Sequence, residues 1–116
     1  MSSDVAGVGT ARYQPAACSF GGDKGIFGYG NDGSYASMTN LVSNAGVVAS
    51  DVTGVGTARY DMAACEYGGD KGIFGYGDDN SSEVSVTNLV SNVGVVATDV
   101  TGVGTARKQL AACSFN

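Results

Sequence analysis

The sequence predicts an all-β fold built from a repeated four-stranded unit, and three observations carry that prediction. Laying Val5–Asp51 over Val52–Asp99 leaves thirty-five of forty-seven aligned positions identical, with one extra residue at or near Glu83 in the second copy. Within each copy, short segments rich in valine, isoleucine, threonine, phenylalanine and tyrosine alternate with clusters of glycine, asparagine, aspartate and serine, the pattern of strands separated by turns. No apolar stripe free of glycine runs the ten or so residues a helix needs, and an interior glycine costs a helix about 1 kcal/mol.

The elements follow in order. Residues 1–11 read as the end of an outer strand and a crossing loop. "AACSF" is the first strand, and "GGD" turns the chain into "KGIFGYG", the second. "NDGS" leads to "SMTNLVS", the third, and "SNAG" to "GVVASD", the fourth. In the third strand Met38, Asn40 and Val42 face one way and Thr39, Leu41 and Ser43 the other. Neither face is charged, so the sheet is expected to be covered on both sides, as in a stack of like units.

Four short strands in every 47–48 residues is the period of a β-propeller blade. The expected division is blade 1 over 12–58, blade 2 over 59–106, and the innermost strand of an incomplete third blade over 107–116. The run "ARYDMAACEYGGDKGIFGYG" resembles the start of a kelch repeat. The resemblance matches Arg59 to the leading arginine, Ala63 to Cys65 to the innermost strand, and Ile73 and Phe74 to the second strand. It implies four-stranded antiparallel blades. The glycine pair of that repeat is here Gly75 and Gly77 around Tyr76, and the chain contains no tryptophan.

Glycine-rich stretches invite a phosphate reading, which their context opposes. "GGDKGIFGYG" at Gly21–Gly30 and Gly68–Gly77 has its lysine ahead of an apolar strand and no helix behind it. "GVGTAR" at Gly7, Gly54 and Gly102 ends in arginine where the dinucleotide fingerprint has its third glycine. Both read as structural turns. Arg12, Arg59 and Arg107 then recur once per unit as rim residues, either in salt bridges to Asp51 and Asp99 or as a ring that meets a ligand.

Cys18, Cys65 and Cys113 each follow "AA" on the expected innermost strand, where a free thiol serves as a small buried apolar group. There is no histidine and no CxxC pair, so no catalytic residue, metal ligand or cofactor is assigned. Asn31, Asp32, Asp78, Asp79, Asn80 and Glu83 lie in the loop between strands two and three, where the copies differ most. They read as solvated turns and as possible contact loops.

Six basic against eleven acidic side chains, a net charge of -5, argue against nucleic acid and anionic membranes as partners. No signal peptide or membrane span is legible, the compartment is left open, and free cysteines suit a reducing cytoplasm. Two blades and a strand leave apolar faces and sheet edges uncovered, so the expected partner is another copy of the chain or further blades. The function expected is a non-enzymatic interaction or structural scaffold displaying loops on a rigid ring. Alternatives are a multivalent glycan-binding propeller and an open β-solenoid or fibril.

Overall fold

The computed structural model describes residues 6–114 and holds six strands: β1 (Ala16–Phe20), β2 (Lys24–Gly28), β3 (Thr39–Val42), β4 (Ala63–Tyr67), β5 (Lys71–Gly75) and β6 (Thr87–Val90). The first five residues of the expected leading segment, and Phe115 and Asn116 of the expected third-unit strand, lie outside that range. The strands form two antiparallel three-stranded sheets, β1-β2-β3 and β4-β5-β6, one per repeat. Registers repeat with the sequence: Cys18 faces Ile26 and Leu41 across the first sheet, Cys65 faces Ile73 and Leu89 across the second.

The fold is all-β among the described residues, but the four-stranded sheet expected in each unit is corrected to three strands. The segment "GVVASD" does return along β3 and bonds to it only at isolated points. Ala49 N–H donates to Leu41 O at 2.9 Å and Val52 N–H to Thr39 O at 2.8 Å. Val42 pairs with Val48 and Thr39 with Val52, so three steps along β3 oppose four along its neighbour. That extra residue is a bulge, and the ladder breaks around it. Val90–Val96 and Thr87–Val100 repeat the same slip in the second unit. The third-unit strand is corrected too: Leu110–Ser114 take no strand conformation and enter no sheet.

The two sheets meet through unlike faces. β1 packs against β4 and β5, and the core joins Ala16, Phe20, Ile26 and Tyr29 of unit 1 to Met62, Phe74, Val90 and Val96 of unit 2. Contact is close enough that a Cβ on Gly72 would lie 2.8 Å from Cys18 Sγ, so the thiol of one unit occupies space that glycine leaves in the next. One face of unit 1 thus packs on the opposite face of unit 2. The stacking is head to tail.

Candidate functional site

The rim that carries the predicted arginines is organised by a relay that repeats in each full unit. Gly9 and Gly56 have φ of +79° and +80°, and a Cβ there would come within 2.5 Å of Asp51 Oδ1 and Asp99 Oδ1 respectively. The space and the left-handed turn bring the next residue onto the carboxylate. Thr10 Oγ1 donates to Asp51 Oδ2 at 2.7 Å and Thr57 Oγ1 to Asp99 Oδ2 at 2.6 Å. Asn40 Nδ2 donates to Asp51 Oδ1 and to Ala49 O, and Asn88 Nδ2 to Asp99 Oδ1 and Ala97 O. The bulge turns both the carbonyl and the carboxylate toward the asparagine.

Arginine completes the relay. Arg12 and Arg59 donate to Asn40 Oδ1 and Asn88 Oδ1. Arg59 also donates to the carbonyls of Thr57, Tyr76 and Val86 at 2.9, 3.1 and 3.0 Å, and it is wholly buried. The salt bridges expected from Arg12 and Arg59 to Asp51 and Asp99 are corrected accordingly: an asparagine stands between the charges, and the ion pairs among the described residues are Lys24–Asp23, Lys71–Asp70 and Lys108–Asp78. Hydrogen bonds from Asn40 and then Thr10 hold the Asp51 carboxyl below its ordinary range. For Asp99, burial pushes upward, and the bonds from Thr57 and Asn88 outweigh it. Burial lowers the pKa of the Arg59 guanidinium.

Arg59 and Arg107 have a second role, between units, whereas Arg12 lies over Phe27 of its own unit. The Arg59 guanidinium sits 4.9 Å from the centroid of the Tyr29 ring, and Arg107 sits 4.8 Å from that of Tyr76. Tyr29 is fully buried, lies 5.1 Å from the Phe74 ring, and donates its hydroxyl to Val55 O at 2.9 Å. Arg107 is exposed and, among the described residues, keeps the Tyr76 ring, the bond to Thr105 O and backbone bonds to Gly77 and Val84. The three arginines are therefore unequal: Arg59 is an internal pin, Arg12 half of one, Arg107 a loose one.

The acidic loops stand at the same end as the arginine segments. Tyr13 pairs with Asn31, and Tyr60 with Asp78, in two-residue bridges. Their side chains are engaged by their own backbone: Asn31 Oδ1 accepts from Gly33 N–H, Asp32 Oδ1 from Ser34 N–H, Asp78 Oδ1 from Asn80 N–H, and Asp79 Oδ1 from Ser81 and Ser82 N–H. Asn80 takes a positive φ of 81° and Glu83 is exposed. Among the described residues no three His, Cys, Asp or Glu side chains gather as metal ligands would. Tyr35 and Tyr60 meet edge to face across the unit boundary at 4.6 Å, and Tyr13 is 59% exposed.

The thiols differ from the uniform burial expected of them. Cys18, against Gly72 of unit 2, and Cys65, beside Cys113 and Ser114, are half-buried, and Cys113 is exposed. Burial pushes the Cys18 thiol up to about 11 and raises Cys65 less. Sequence reading missed Thr10, Asn40 and Tyr29 and their copies Thr57, Asn88 and Tyr76 as a connected set. Their recurrence at fixed unit positions was the available signal. Comparison with protein-family models and with curated proteins finds no match.

Proposed function

We propose that this chain is a non-enzymatic scaffold of kelch-like β-propeller blades, whose rigid stacking presents the Asn31–Ser34 and Asp78–Glu83 loops for contact with another protein. The observation that supports it best is the head-to-tail junction, in which Tyr29 is held between Arg59 and Phe74. A repeat joined to its neighbour by such a contact propagates, and each step adds the same loops to the same rim. Loop side chains bonded to their own backbone suit display of a fixed shape.

Glycan binding is the second reading, favoured by exposed Tyr13 and by the Tyr35–Tyr60 pair on that rim, since flat aromatic faces stack on sugar rings. A glycan array separates the two. The scaffold reading expects no glycan signal, whereas binding lost on Tyr13→Ala would replace it with a lectin. Catalysis is no part of the proposal.

A further inference from the structure

We infer that the outer face of unit 2 docks on the outer face of unit 1 of a second copy, reproducing between chains the junction that already exists within one. This inference rests on the reading of the units as stacking blades. The internal junction supplies the template. There Leu41 and Phe20 of unit 1 lie against Gly94 of unit 2, whose added Cβ would come 3.0 Å from each, and Cys18 lies against Gly72. The same knobs recur on the open face of unit 2 as Leu89, Tyr67 and Cys65, and Leu89 is exposed. The same sockets recur on the open face of unit 1. Among the described residues Gly46 has nothing within 4 Å of an added Cβ, and Gly25 has its own sheet at 3.7 Å. A cleft lined by Val8, Phe27, Ala45, Gly46, Val47 and Val48 lies open beside them.

The chain itself indicates what belongs on unit 2. Leu110 and Ala112 lie over Ala63 and Ile73, and Cys113 lies beside Cys65, where β1 of a following unit would run. Residues 102–115, which contain this segment, are identical to residues 7–20, which contain β1, except at Tyr13/Lys108 and Pro15/Leu110. Against the corresponding stretch of unit 2 they differ at five positions. The segment lying over unit 2 thus has the sequence with which unit 1 begins, through β1. A docked second copy brings β1 already paired to β2, whereas Leu110–Ser114 take no ladder bonds. The second copy therefore displaces that segment. Contact between unlike faces is heterologous, so it builds rings or filaments and no isologous dimer.

Sedimentation velocity over a range of concentrations tests this on the full chain and three variants. Gly25→Glu fills one socket where the chain's own fold has room, and Leu89→Glu charges the opposite knob; each is expected to raise the concentration of half-association about tenfold or more, with the circular-dichroism spectrum unchanged. Mixed one to one, the two are expected to form a dimer, because each keeps the face the other has lost. Leu110→Asp loosens the displaced segment and is expected to strengthen association. The inference is overturned if the full chain stays monomeric, if Gly25→Glu associates as the full chain does, if the mixture forms no dimer, or if Leu110→Asp weakens association. Failure of the scaffold reading shows separately, as glycan binding, whatever the strength of self-association.

Discussion

Arg59 of the second unit lies over the ring of Tyr29 of the first, 4.9 Å from its centroid, while donating to the carbonyls of Tyr76 and Val86 in its own sheet. One guanidinium thereby couples the internal order of a unit to its contact with the preceding one. A buried cation over an aromatic face contributes up to about 2 kcal/mol. A double-mutant cycle between Tyr29→Leu and Arg59→Met is expected to give a coupling of about 1–2 kcal/mol. Additive effects would deny the contact.

The three arginines provide an internal comparison. Replacing Arg59 by alanine strands several buried carbonyls and the Asn88 amide oxygen, and is expected to cost about 3 kcal/mol in urea unfolding. Arg12→Ala should cost less, and Arg107→Ala least, because Arg107 is exposed and makes fewest bonds. Equal effects at the three positions would contradict this ranking.

Tyr29→Ala opens a cavity between the sheets and is expected to destabilise by about 3–5 kcal/mol, the range for a fully buried aromatic. Tyr76, half-buried at the second boundary, should tolerate the same change at a smaller cost. Thermal melts of both variants measure the difference.

Acid should loosen the clasp between the start and end of each unit. Asp51 and Asp99 are held below their ordinary range by hydrogen bonds from asparagine and threonine. A depressed folded-state pKa contributes stability that is present above the unfolded value of about 4 and is lost as pH falls through the folded value. Urea midpoints are expected to drop below about pH 4, and Asp51→Asn should flatten the drop. Cys18 works in the opposite sense. Its thiol, raised to about 11, favours the folded chain below the unfolded value of about 8.5, and that contribution disappears as pH climbs through 11. Thiol reagents at neutral pH should modify Cys113 first and Cys18 last. Modification of Cys18 ahead of Cys113 would contradict its position under unit 2.

The strands β1, β2 and β3 were legible because each is short, β-prone and bounded by turn residues, and because "AAC", "KGIFG" and "TNLV" repeat in register with the whole unit. The fourth segment was not. Its valines read as a regular strand, but Asp51 must reach Thr10, forty-one residues earlier in the chain, and the bulge that allows this has no local signature. The Arg–Asp pairing failed for a related reason. Asn40 looks like any polar residue of a strand until the register puts it between Arg12 and Asp51. Tyr29 gave no sign of its burial, since Tyr13 carries the same side chain and stands largely in solvent.

Stacking blades and ring closure are matters of shape, which electron micrographs of the purified protein record. Closed rings of radial blades around an axial opening are expected. Unbranched filaments would keep the head-to-tail stack but leave it open, and particles no larger than a single chain at every concentration would contradict it.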